Sequence, residues 1–125
     1  MKRHALLVCP VHPARQQLVE AVRQARTTHL VTSNVGKAIE ALKNGKYDVI
    51  VTGKKLDDGN ADDVLQVVQA IHPSVPVVVV SRTEDWNEYV NAVNRGAFDL
   101  LPADSPTHES ARVISAALRA ANGSP

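Results

Sequence analysis

Short unbroken apolar runs alternate along this chain with stretches in which apolar residues recur every three or four positions. The first kind reads as strand buried on both faces, the second as helix with one apolar side. Ala5-Leu6-Leu7-Val8 is the first such run; Cys9-Pro10-Val11-His12-Pro13 breaks it, and Pro13 suits the first turn of a helix. Ala14, Leu18, Val22 and Ala25 then recur at helical spacing. Thr28 to Thr32 is β-prone, Ser33-Asn34 offers a cap, and Val35, Ala38, Ile39 and Leu42 form the face of a second helix stopped by Asn44-Gly45. Tyr47-Asp48-Val49-Ile50-Val51-Thr52 is a central strand cut off by Gly53. Asn60 to Asp63 bring acids to a helix N-terminus, and Val64, Leu65, Val67, Val68 and Ile71 are expected to face inward until Pro73. Val75 and Val77 to Val80 form the most hydrophobic strand, closed by Ser81-Arg82-Thr83. Glu84 and Asp85 open a helix with the stripe Trp86, Val90 and Val93, ending at Gly96. Phe98 to Leu101 is a last short strand, and Ser105-Pro106 starts a helix carrying Val113, Ile114, Ala117 and Leu118.

Strand followed by helix, five times over with short connections, specifies a parallel sheet covered by helices on both faces. Five strands of this kind favour the order 2-1-3-4-5, and the C-terminal ends of the strands then share one edge, where ligands and chemistry gather. Cys9, Gly53, Ser81 and the turn around Pro102-Ala103 are expected to converge there. What stands at Gly53 is therefore decisive, and that residue has no side chain.

Composition narrows the class. The chain has 125 residues, enough for one domain with a core of its own. With 14 basic and 13 acidic residues its formal charge is +1, which gives no general pull toward nucleic acid or anionic membrane. The five histidines are scattered without metal-ligand spacing, and the single Cys9 rules out an internal disulfide and suits a reducing cytoplasm. Ala5 to Val8 is too short an apolar run for a signal peptide or a membrane span. A soluble, cytoplasmic domain is expected.

Three stretches carry a family resemblance: Tyr47-Asp48-Val49-Ile50-Val51, Val75-Pro76-Val77-Val78-Val79-Val80-Ser81 and Arg95-Gly96-Ala97-Phe98-Asp99-Leu100-Leu101. In register and over essentially the whole length, they resemble the receiver domain of bacterial two-component response regulators, the CheY-like family. The resemblance implies a flavodoxin-like (βα)5 three-layer α/β sandwich and phosphorelay signalling. In that family two acids after strand one help hold Mg²⁺, an aspartate ending strand three accepts the phosphoryl group, a Ser/Thr on strand four hydrogen-bonds it, and a lysine after strand five pairs with its charge. Carried over position by position, the acid pair falls on Cys9 and Pro10, the acceptor on Gly53, the hydroxyl on Ser81 and the lysine on Ala103. The aromatic switch position falls on Leu100, and the proline after the lysine on Asp104. Only Ser81 keeps the family's chemistry. The resemblance thus implies a degenerate pseudo-receiver with no catalytic residue, metal or cofactor, whose pocket carries none of the family's charges while Lys54, Lys55 and Arg82 lie near its rim.

Other readings attach to single residues. Asp57 and Asp58 are substitute phosphoacceptors if not simply turn residues before Gly59. Cys9 is a redox sensor only if exposed with a lowered pKa, and otherwise fills space. Ser81 has no histidine placed by sequence as its base; His72 lies at the far end of the third helix. Lys54, Lys55 and Arg82 offer an anion site at the strand edge if they are not a solvated rim. Trp86 and Tyr89 are candidate interface aromatics on the fourth helix. Tyr89 is the better one, because Trp86 shares a stripe with Val90 and Val93 and is expected to be half-buried at the helix start. Ala116, Ala117, Ala120 and Ala121 make the last helix small-faced enough for close approach of another helix. The partner surface implied is helix four, strand five and helix five, used for a homodimer or another protein. The chain ends just after the last helix, as expected of the N-terminal domain of a longer regulator with a C-terminal effector.

Overall fold

The computed structural model describes residues 3–10, 13–82 and 86–121, the side chains at 13, 14, 86 and 121 excepted. The elements run β1 (His4–Val8), α1 (Pro13–Gln24), β2 (Thr28–Thr32), α2 (Val35–Asn44), β3 (Val49–Gly53), α3 (Ala61–Ile71), β4 (Val77–Ser81), α4 (Trp86–Asn94), β5 (Asp99–Pro102) and α5 (Thr107–Ala121). All five strands pair in parallel in the order β2-β1-β3-β4-β5. The predicted α/β fold and strand order are therefore present. Two further two-residue strands, Lys55–Leu56 and Gly59–Asn60, close a small antiparallel hairpin after β3 that periodicity did not announce.

Alternate residues of the central strands feed two cores. Ala5, Leu7, Val49, Val51, Val78 and Val80 pack with Leu18, Ala21 and Val22 of α1 and Ile114, Ala117 and Leu118 of α5. On the other face, Leu6, Val8, Ile50, Val77 and Val79 pack with Ala38 and Leu42 of α2 and Val64, Leu65 and Val68 of α3. Covering both faces is why these strands read as continuous apolar runs. The edge strand β2, by contrast, alternates and leaves Leu30 43% exposed. Ala117 is spent on packing α5 against α1, so part of the small face foreseen for an outside helix is internal.

The ends of the elements carry most of the differences from expectation. β3 starts at Val49, because Tyr47 and Asp48 form a collar below it. Tyr47 stacks on His4 with centroids 5.0 Å apart, and the Asp48 carboxylate accepts the His4 N–H at 2.8 Å. Burial raises the Tyr47 pKa. Asn34 caps α2 as foreseen, accepting the Lys37 N–H at 2.8 Å, and Asn60 with Asp63 forms a capping box on α3. Ile71, expected inside, is exposed, because α3 stops there and its last apolar position extends past the sheet. Of the predicted stripe of α4, Val90 is half-buried and Val93 exposed, while Ala92 of the same helix packs against the α2/α3 core. The side chain of Trp86, and residues Glu84 and Asp85, lie outside the described residues.

Two helices end alike. After α4 the Ala97 N–H bonds the Ala92 carbonyl and the Gly96 N–H bonds that of Val93; after α1 Thr27 bonds Val22 and Arg26 bonds Arg23. Both are Schellman closures that need a left-handed residue. Gly96 supplies it at φ 105°, and Arg26 adopts it at φ 56° with a side chain. A Cβ on Gly96 would also sit 1.9 Å from Gln69 Nε2, which donates to the Arg95 carbonyl at 2.8 Å. Among the described residues, no helix is long and apolar enough to cross a membrane.

Asp58 proves to be a capping residue of a neighbouring helix. Its carboxylate accepts the Val35 N–H at 2.7 Å and the Gly36 N–H at 3.0 Å, tying the hairpin to the N-terminus of α2. These bonds, Gly36 first, hold its pKa below the usual carboxylate value. A depressed pKa adds stability above the unfolded value of about 4, which is lost as pH falls through the folded value. Thermal melts should therefore find Asp58→Asn less stable than wild type at neutral pH, the gap closing as pH drops below about 4. Denaturant unfolding should find Gly96→Ala destabilised by about 1–3 kcal/mol, from backbone strain and the displaced Gln69, whereas Arg26→Gly is neutral or slightly stabilising.

Candidate functional site

Parallel pairing brings the ends of β1, β3, β4 and β5 to one edge, and hydrogen bonds continue the alignment past the strands. The Cys9 N–H bonds the Thr32 carbonyl at 2.9 Å, Lys54 bonds Val80 at 2.8 Å, and Ala103 bonds Ser81 at 2.7 Å. Cys9, Gly53, Ser81 and Ala103 thus stand at the predicted edge. Pro10 follows Cys9 and is partly buried.

Each residue has a definite chemical character. The Cys9 thiol is buried in the α1/α5 core and its pKa is raised by burial, an effect only partly opposed by the Arg15 guanidinium. A thiol held protonated is a poor nucleophile and a poor redox sensor, so the space-filling reading fits. Ala103 packs against the same core. At Gly53 a Cβ would meet the Lys55 carbonyl at 3.6 Å and Leu56 Cδ2 and the Val8 carbonyl at 3.8 Å, all ordinary contacts. Neither space nor a left-handed φ demands glycine here. Hard divalent cations want oxygen donors, and the side chains of Cys9, Pro10, Gly53 and Ala103 supply none. Among the described residues, no cluster of three His, Cys, Asp or Glu is placed to hold a metal.

Ser81 has a partner the sequence did not suggest. Its hydroxyl donates to Glu88 Oε1 at 3.0 Å, and the same oxygen forms an ion pair with Lys54. Glu88 comes from the first turn of α4 and is only 16% exposed, against 48% for Lys54. The sequence placed Lys54 near the rim and gave no sign of Glu88. In the structure a carboxylate from α4 and an ammonium from just beyond β3 meet over Ser81. Glu88 was missed because nothing separates it in sequence from Glu84 and Asp85. Its one distinguishing signal is a place in the helical turn that follows a strand ending in a hydroxyl residue.

The remaining candidates take other places, Lys55 and Leu100 on the lining of a hollow that Lys54 and Glu88 also line. Lys55 and Arg82 are exposed, and Asp57 is an exposed turn residue beside the capping Asp58. His72 Nε2 lies 2.9 Å from the Leu42 carbonyl, so it is no base for Ser81. Leu100 sits on β5 opposite Val79, partly buried against the α2/α3 core. Tyr89 is 36% exposed on α4, and Val93 and Phe98 are exposed near it in sequence.

Comparison with known proteins agrees with this geometry. The family model for the response regulator receiver domain matches residues 10–111. The response regulator protein PilR of Pseudomonas aeruginosa is 27% identical over 123 residues, covering 98% of this chain and 28% of PilR. The DNA-binding transcriptional regulator NtrC of Rhizobium meliloti is 30% identical over 104 residues, covering 83% of this chain and 22% of NtrC. This chain therefore spans about a quarter of the length of these relatives. Among solved structures, the signal receiver domain of a putative LuxO repressor protein from Vibrio parahaemolyticus superimposes with a TM-score of 0.89 at 19% identity, covering 98% of this chain and 94% of that one. With its matched residues spanning most of the sheet and its strand ends gathered at one edge, the chain belongs to the response regulator receiver domain family of two-component signalling.

Proposed function

We propose that this receiver domain has given up phosphotransfer and signals through protein contact, a pseudo-receiver that is not an enzyme and works without metal or cofactor. One observation carries the reading: at the strand edge the surviving hydroxyl, Ser81, is bonded to a resident carboxylate, Glu88, which also takes the charge of Lys54. An incoming phosphoryl group would need an acceptor, a cation and a positive side chain to neutralise it. Gly53 offers no acceptor, Cys9 and Pro10 offer no hard ligand, Ala103 offers no charge, and Lys54 is already paired. Asp58, the nearest substitute acid, spends both oxygens on the N-terminus of α2.

Partner binding by this reading uses α4, β5 and α5. Tyr89 on α4 and Phe98 just before β5 are exposed, and aromatics make preferred interface anchors. Trp86 is a second candidate on the same helix. The partner is a second copy of this domain or another protein of the signalling system, in the cytoplasm. The relatives PilR and NtrC are several times longer than this chain, and NtrC is a DNA-binding transcriptional regulator. A C-terminal effector domain following this one fits that pattern.

Incubation with acetyl phosphate and Mg²⁺, read by intact mass, should give no stable phosphoryl adduct for wild type. Gly53→Asp should fold, since a Cβ fits there, and should also stay unlabelled, because the cation ligands and the lysine are missing too. Labelling of wild type at Asp57 or Asp58 overturns the proposal; labelling of Gly53→Asp alone would reduce the change to a single lesion in a working site. Sedimentation should show weaker self-association for Tyr89→Ala than for wild type, and identical behaviour would remove Tyr89 from the interface.

A further inference from the structure

Between α3 and α4 the sheet is incompletely covered. A cavity of about 260 Å³ opens there, the space of roughly nine waters at ~30 Å³ each. Its floor is apolar: Ala61, Leu65, Val79, Ala92 and Leu100. Among the described side chains of α4, Ala92 is the one packed against this core, too small to fill the space beside Leu100. The two helices are joined instead by polar links at the far end, where Arg95 pairs with Asp62 and Gln69 holds the Arg95 carbonyl.

The mouth carries the charges. Lys54 is paired with Glu88 and Arg95 with Asp62, while Lys55, also on the lining, makes no ion pair among the described residues. Among the described residues, one positive charge is left over at the rim of an apolar hollow. From this juxtaposition we infer that the cavity binds a small organic carboxylate with a short apolar body, which replaces phosphate as the signal. The inference rests on the phosphorylation-independent reading above and supplies its input. The apolar body lies on Leu65, Val79 and Leu100. The carboxylate sits at the mouth by Lys55 and competes with Glu88 for Lys54, whose ammonium is half-exposed on the solvent side of the pair. A pocket of mostly apolar lining with a few convergent polar groups is the ordinary form of a small-molecule site. Occupation pushes on Ala92 and draws Glu88 away from Ser81. Both belong to α4, the helix that presents Tyr89 and Val93 to the outside.

The test is titration of the isotope-labelled chain with hexanoate, phenylacetate and benzoate, followed by backbone amide shifts. The neutral amides of these acids and inorganic phosphate serve as comparisons. At least one carboxylate should produce saturable shifts at Ala61, Ala92 and Leu100, with its amide and phosphate binding about tenfold more weakly or worse. Lys55→Gln, an exposed substitution, should weaken the carboxylate by about tenfold, and Ala92→Phe, which fills the hollow, should abolish its shifts. Absence of saturation with all three acids overturns the site, as does an affinity unchanged in Lys55→Gln. Phosphate binding as tightly as the acids would reduce it to a basic rim. A phosphoryl adduct in the mass experiment removes the phosphorylation-independent reading yet leaves the cavity result standing. Absent saturation without an adduct removes the carboxylate site alone.

Discussion

Val49 and Val51 are covered by α1 and α5, and Ile50 by α2 and α3. A strand buried that way must satisfy its backbone groups inside a sheet, because no water reaches them. β3 does so between β1 and β4, and parallel pairing on both sides aligns three strand ends at one edge. The position of every residue discussed as a candidate follows from that alignment. The helices on each face are fixed by the alternate side chains of the same strands, so the core and the site share one cause.

At the edge itself the chemistry is local and polar. A buried hydroxyl needs a partner, and Ser81 finds it in Glu88. Glu88 in turn needs a cation close by when only 16% exposed, and Lys54 lies within reach because β3 ends one residue before it. These three groups meet without any contribution from a side chain at Gly53. Glycine is not required there by space, since a Cβ would touch its neighbours at ordinary distances.

Among the described side chains, α4 puts the smallest apolar group against the sheet. α1, α2, α3 and α5 each bury Leu, Val or Ile side chains, whereas α4 offers Ala92 and half-buried Val90, with Arg95, Asp62 and Gln69 tying its end to α3. Solvent-exposed polar links are individually weak compared with buried apolar area. An element joined in that manner is the natural one to respond to a ligand or a partner. Its exposed Tyr89 and Val93 make it the one whose movement would be noticed from outside.

Periodicity in the chain determined the five strands, the five helices and the two faces of the sheet, because burial on both faces writes continuous apolar runs and burial on one face writes a helical stripe. Capping at Asn34, the acids opening α3 and the closure at Gly96 were equally legible, since each depends on residues a few positions apart. The gathering of Cys9, Gly53, Ser81 and Ala103 followed from strand order alone. Where the pattern misled, at Ile71 and Val93, the apolar residue keeps its helical spacing but the helix runs past the sheet or turns its alanine inward, and spacing does not say how far the opposing surface extends. Asp58 read as a turn, and only the folded chain joins it to Val35 across more than twenty intervening residues. The same holds for Glu88 over Ser81 and Lys54. Charge pairs between elements have no period and no local signature, so the sequence by itself determined the scaffold and its bare strand tip. Tertiary structure alone decided what fills the edge, because only the packing of α4 sets which carboxylate reaches it.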